Sequence, residues 1–182
     1  MGERESSAIE KASSVLDRLA GTVLDGDANF LLARANAVSI AEGNRALAAH
    51  GLRARSYSVL ALTTGERGPS QRELAEILRL DPSQVVALVD DLQGRGLVER
   101  KPAPADRRAN VVIATEAGQQ LLAQASASAR LAERRVLEVL DGEERAQLVV
   151  LLRRVAFNHA EETSEARAGA SASDAQLNRL RG

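Results

Sequence analysis

The chain has 182 residues, enough for one full-sized domain or two small lobes. Apolar residues make up 45%, aromatics 2%, and there is no cysteine, which excludes a disulfide framework, a thiolate metal site and a thiol redox switch. The net charge of −1 excludes a globally basic nucleic-acid binder, so any such binding must depend on where a few positive charges stand.

A core poor in aromatics must be built from Leu, Val and Ala, which favours helix packing. There is no basic leader followed by an apolar run, and no run approaches the ~18 apolar residues of a membrane helix. A soluble, cytoplasmic protein with no membrane partner is expected.

In chain order, Ile9, Ala12, Leu16, Leu19 and Val23 recur at helical spacing, which predicts an accessory helix over residues 3–24 within a segment 1–26. Gly26 and Asp27 break it, and Asp27 is placed to cap a helix over Ala28–Ala49. That helix carries few charges and many small residues, which suits a buried or shared interface. His50 and Gly51 end it, with His50 as a C-cap. Arg53–Thr64 reads as a short core helix, and Gly65–Pro69 as a loop.

Ser70 and Glu73 form a capping box opening a helix to about Leu78, which buries Leu74, Ala75 and either Ile77 or Leu78. Asp81 caps the next helix, Pro82 takes its first position, and Gln84 completes a second box. Val85, Leu88, Val89 and Leu92 are its buried face, and Gly94 or Gly96 its end. Only Arg79 and Leu80 separate the two helices, so they form a helix-turn-helix.

Leu97–Lys101 and Asn110–Ala114 are strands, and the polar connection Pro102–Ala109 makes them a wing. Thr115 caps a long helix from Glu116 to about Leu140, and Asp141–Glu144 caps a last one to about Ala160. Leu148, Val149, Leu151, Leu152, Val155 and Phe157 give that last helix more apolar surface than a lone lid requires. Residues 162–182 are rich in Ser, Ala, Gly and charge and predict a disordered tail, with a helical turn near Leu177–Leu180. The fold class is mainly α with a small β-wing, a winged helix-turn-helix.

Such a fold places the start of its second helix against base edges. Here that start is Pro82, Ser83 and Gln84, with Val86 and Ala87 one turn on. Gln84 suits adenine, and Val86 a thymine methyl. Backbone amides at the starts of the Arg53 and Ser70 helices, with Arg53, Arg55, Ser70 and Gln71, are placed for phosphates. Arg107 or Arg108 suits a minor groove, with Asp106 as the orienter of the wing tip. The plainer alternatives are a solvated charged loop for 106–108 and a purely capping role for Gln84. From Gly51 to Ala114 there are ten Lys or Arg against eight Asp or Glu, a thin excess. No Cys/His or Ser/His pairing, metal-ligand cluster or Gly-rich phosphate loop is present, so neither an enzyme nor a cofactor is expected. A winged helix serving as a protein–protein module without DNA contact is the competing class.

The run Gly96-Leu97-Val98-Glu99-Arg100, the wing Asp106-Arg107-Arg108 and Thr115-Glu116-Ala117-Gly118 resemble the signature of the MarR family of bacterial transcriptional regulators. The similarity extends upstream through Gly51-Leu52 and Tyr57–Leu60 to Gln71-Glu73-Leu74-Ala75 and covers about residues 28–160. The resemblance implies a homodimer held by the first core helix and the last two (27–52 and 115–161), with 53–114 as the DNA-binding lobe on a pseudopalindromic operator. It assigns Arg108 as the minor-groove arginine and Asp106 as its partner. Val86 and Ala87 depart from the Thr and Arg of many members, which moves base reading toward Ser83, Gln84 and methyl contacts. It also implies release from DNA by a small-molecule effector, for which Arg34, His50 and Tyr57 are candidate contacts. Tyr57 as core and His50 as a cap are the simpler readings of those two.

Overall fold

The computed structural model describes residues 17–65, 67–103 and 109–157. The expectations for residues 3–16, for Asp106, Arg107 and Arg108, and for the tail with its turn near Leu177–Leu180 lie outside the described residues. The chain divides into two compact units, Met1–Val136 and Leu137–Gly182.

In the first unit, α1 (Ala28–Leu47) runs into a single 3-10 turn at Ala48–His50. It is followed by α2 (Ala54–Leu62), α3 (Gln71–Leu78), α4 (Pro82–Gly94), β1 (Val98–Pro102), β2 (Asn110–Ala114) and α5 (Glu116–Val136). Helices with a two-stranded wing are the architecture expected from the sequence.

The caps explain most of the boundaries. Asp27 accepts from the Phe30 amide at 2.7 Å and starts α1. The described end of the preceding helix is Leu19, not residue 24: Gly21 takes φ +75° and the Thr22 hydroxyl donates to the Leu19 carbonyl at 2.7 Å. Val23, the last member of the apolar stripe, is 93% exposed and has no packed face to hold it helical. His50 is not the C-cap of α1. The 3-10 turn that continues α1 is closed instead by Gly51, which adopts φ +63°, where an L side chain is strained, and donates to the Ala48 carbonyl at 2.9 Å.

The core joins Leu47, Leu52, Val59 and Leu60 to Leu74, Val85, Val89 and Leu92 of the helix pair, to Val98 and Val112 of the wing, and to Ala125 of α5. Each fully buried Leu or Val side chain contributes roughly 1.5–3 kcal/mol of transfer free energy. Leu78 packs on this core and Ile77 is 51% exposed, which settles the ambiguity at the end of α3. Leu88 lies at the core's edge, partly buried. Helix α5 packs along α1 and also meets α2 and β2. It ends at Val136, four residues short of the expected Leu140, where the chain turns.

β1 and β2 are antiparallel, with Val98 opposite Ala114 and Arg100 opposite Val112. The other edge of β2 is held by the chain before α3: the Val112 amide donates to the Pro69 carbonyl and the Ala114 amide to the Thr63 carbonyl, both at 2.8 Å. β2 therefore has both of its edges bonded, one to β1 and one to the chain that leads into the helix-turn-helix.

In the second unit, residues 142–157 form a helix, opened by a reciprocal capping box. The Asp141 side chain accepts from the Glu144 amide and the Glu144 side chain from the Asp141 amide, each at 2.9 Å. Val149, Val150, Leu151, Leu152, Val155 and Phe157 are exposed on it. Among the described residues no helix is long and apolar enough to cross a membrane.

Candidate nucleic-acid interface

The turn between α3 and α4 is made by an arginine in an unusual conformation. Arg79 sits at φ 51°, the left-handed region, as the C-cap of α3. There a non-glycine residue costs roughly 1 kcal/mol. The Arg79 and Leu80 amides both donate to the Ala75 carbonyl, so the chain reverses within three residues and α4 begins at once.

At the start of α4, Asp81 accepts from the Ser83 amide at 2.8 Å and from the Ser83 hydroxyl at 2.5 Å. These bonds hold the Asp81 carboxyl below its ordinary range, the hydroxyl contributing most. Here the expectation of a second capping box needs correcting. Ser83, not Gln84, completes the cap, because its short hydroxyl reaches the N-cap carboxylate directly. Gln84 is exposed, and its backbone amide donates to the Asp81 carbonyl at 3.0 Å. Pro82, Ser83, Gln84, Val86 and Ala87 all lie on the exposed side of α4, with Val86 39% exposed, while Val85, Val89 and Leu92 hold the opposite side in the core.

The start of α3 is the expected capping box. The Ser70 hydroxyl accepts from the Glu73 amide at 3.2 Å, and both the Ser70 amide and hydroxyl donate to the Glu73 carboxylate at 2.7 Å. The two bonds lower the Glu73 pKa, the backbone amide being the larger cause. A carboxylate thus already stands at the positive end of this helix. Gln71 is half-buried and its side-chain oxygen accepts from Arg100. At the start of α2, the Arg53 amide donates to the Ser56 hydroxyl at 2.9 Å and the Ala54 amide to Asn44 Oδ1 at 2.8 Å. The Arg53 and Arg55 side chains are exposed there.

Between α3 and the outer end of the wing strands lies an open cleft of about 580 Å³, lined by Arg67, Pro69, Glu73, Glu76, Ile77 and Val111 among others. Among its described lining residues, the Glu73 and Glu76 carboxylates stand with the Arg67 guanidinium.

Two features escaped the sequence reading. Arg100 appeared there only as the end of a strand motif. In the structure its guanidinium reaches Gln71, Asp90 and Gln93. The signal was present in the alternation, since Arg100 shares a strand face with buried Val98. The second is His50, whose Nε2 lies 3.0 Å from Ser128 Oγ on α5. No local pattern points to a pairing over that sequence separation.

Of the three candidate effector contacts, Tyr57 packs against the core and His50 is half-buried beside Ser128. Arg34 is exposed on α1, and at about 1.5 Å per residue roughly 20 Å of helix separates it from Leu47. Arg34 therefore stands apart from the other two within one chain.

The MarR family profile matches residues 50–109, the segment that holds the helix-turn-helix and most of the wing. A MarR-family transcriptional regulator from Rhodococcus sp. RHA1 is 39% identical, with a TM-score of 0.70, over 76% of this chain and 98% of that one. The chain belongs to the MarR family. It is accordingly a transcriptional regulator with the winged helix-turn-helix of that family, not an enzyme. Within the MarR family it is also similar to CouR from Rhodococcus jostii RHA1, solved with p-coumaroyl-CoA: 40% identical over 75% of this chain and 96% of that one, TM-score 0.68. A transcriptional repressor CouR solved on a 23-mer DNA duplex is 30% identical over 73% of this chain and 94% of that one, TM-score 0.66.

Proposed function

We propose that this MarR-family regulator is a homodimeric, sequence-specific repressor that acts in the bacterial cytoplasm on a pseudopalindromic operator and is released by a small-molecule effector. The observation that carries the reading is the exposed first turn and a half of α4, where Pro82, Ser83, Gln84, Val86 and Ala87 stand clear of the core beside an anchored wing. An α-helix presented in this way fits a major groove. The CouR repressor on DNA supports it.

Base reading is assigned to Gln84 and Val86. Ser83 spends its proton on Asp81 and remains an acceptor. Phosphate contact falls to the exposed Arg53 and Arg55, since the Glu73 carboxylate already stands at the start of α3 and Gln71 is held by Arg100. Arg108, with Asp106 as its partner and Arg107 beside it, is assigned to the minor groove on the family resemblance alone.

Two separate exposed apolar surfaces support a dimer, one on α1 (Leu31, Leu32, Val38) and one on the helix over residues 142–157. The dimer lobe is proposed as 27–52 with 115–161, and the DNA lobe as 53–114. The p-coumaroyl-CoA bound to the similar CouR supports an aromatic acid or its coenzyme A thioester as the effector; His50 and Tyr57 are proposed as its contacts, and Arg34, which stands apart from them within one chain, as a separate one.

The test is a footprint and a gel shift on DNA flanking the regulator's own gene, titrated with salt and with such compounds. A protected palindrome with half-sites about 10 base pairs apart and a steep salt dependence are expected. Arg108→Ala should weaken binding sharply. Affinity indifferent to salt would favour a protein-interaction module instead, and a footprint that survives every aromatic acid and thioester would sink the effector.

A further inference from the structure

We infer that Arg100 is the residue that sets the position of the wing relative to the recognition helix α4, and so determines how the two grooves are read together. The inference rests on the DNA-binding reading above. Arg100 is the third residue of β1, on the strand face it shares with buried Val98 and opposite Val112. Alternation calls for an apolar residue there. An arginine in that place must have its N–H groups satisfied, because a half-buried charge without partners is costly.

Its partners come from both helices of the motif. Nε and Nη2 donate to Gln71 Oε1 at 3.1 and 2.6 Å, Nη1 to Gln93 Oε1 at 2.6 Å, and Nη2 to Asp90 Oδ1 at 2.5 Å. One planar group thus joins the wing to the start of α3, the exposed side of α4 and the last turn of α4. The planar fork makes this possible, and a lysine ammonium on a flexible stem does not reproduce it.

Asp90 adds a second consequence. It follows Ser83 and Ala87 at helical spacing on the exposed side of α4, where a bare carboxylate would repel phosphate. The Arg100 ion pair neutralises it.

The test begins with wild-type protein selecting duplexes from a random DNA library. Arg100→Met, Arg100→Lys and Arg100→Met with Asp90→Asn are then profiled on the same library. Arg100→Met should bind the selected duplex roughly tenfold to a hundredfold more weakly, the worth of one or two charge-assisted hydrogen bonds. Base preference should flatten at the flanking positions under the wing and persist in the half-site read by α4. A loss of folded protein alone would lower the active fraction without changing that profile. Arg100→Lys should share the defect, and adding Asp90→Asn should restore only part of the affinity.

Amide exchange supplies a readout without DNA. It should quicken in β1 and β2 of Arg100→Met and stay unchanged where α1 packs on α5. An unaltered preference profile, full recovery with Asp90→Asn or with Lys, or unaltered exchange in the wing would each overturn the inference. Failure of wild type to enrich any sequence would instead sink the DNA-binding reading, and this inference with it.

Discussion

The Thr115 hydroxyl donates to the Gly96 carbonyl at 2.7 Å and accepts from the Gly118 amide at 3.1 Å. The residue that caps α5 therefore also closes the wing, and the Thr115 amide adds a third link by donating to the Leu97 carbonyl at 3.0 Å. Thr115→Val keeps the shape and removes both hydroxyl bonds. It should cost about 1–2 kcal/mol in urea unfolding, the worth of a cap and a hydrogen bond. A loss within a few tenths of a kcal/mol would mean that water replaces both.

Gly118 sits against the same junction. A methyl group there would overlap the Leu97 carbonyl oxygen and crowd Leu60, both rigidly held. Gly94, the last residue of α4, has open space around its missing side chain. Thermal melts should therefore separate two substitutions that look alike. Gly118→Ala should destabilise by roughly 2 kcal/mol or more, as overpacking does. Gly94→Ala should stabilise by about 0.5–1 kcal/mol through its helix preference. Similar shifts of both would show that the β1–α5 junction yields to the added methyl.

Acid stability should depend on Glu73. Its pKa in the folded protein lies below the ordinary 4.5 because Ser70 donates to it twice, and the unfolded chain has no such bonds. In the interval between the two values the unfolded state binds more protons, so stability rises with pH there. The box contributes fully above about pH 4.5 and is lost as the pH falls through the lowered folded value. Asp81 acts with the same sign through Ser83. Glu73→Gln should flatten the acid limb of a stability–pH curve, and parallel curves for variant and wild type would remove Glu73 as a contributor.

Base reading predicts a split between two neighbours. Gln84→Ala should lose discrimination for adenine at one half-site position, with a penalty of about 1–3 kcal/mol for a lost bidentate pair. Val86→Ser should relax preference for thymine while leaving that adenine position intact. A selection profile in which both variants fade evenly at every position would argue that α4 contacts only the backbone.

Much of the helical structure in both units was legible because its signals are local. Ser70 with Glu73, Asp81 with Pro82, and Asp141 with Glu144 mark helix starts within three residues, where hydrogen-bond geometry leaves little choice. The errors lay where short-range rules compete. Gly21 ended a helix that the apolar stripe would have continued. Gly51 took the cap position given to His50, and Ser83 took the role given to Gln84.

By itself the sequence determined the order of the elements from α1 to α5, the residues that start α1, α3 and α4, and most of the buried face of α4, because periodicity and capping act within a turn or two of helix. Tertiary structure alone decided which side chains meet across elements. Arg100 found Gln71, Asp90 and Gln93 on two helices, and His50 found Ser128 on α5. These pairings follow from how the wing and the helices pack, since a polar group drawn to the edge of a core takes whatever partner the packing brings within reach.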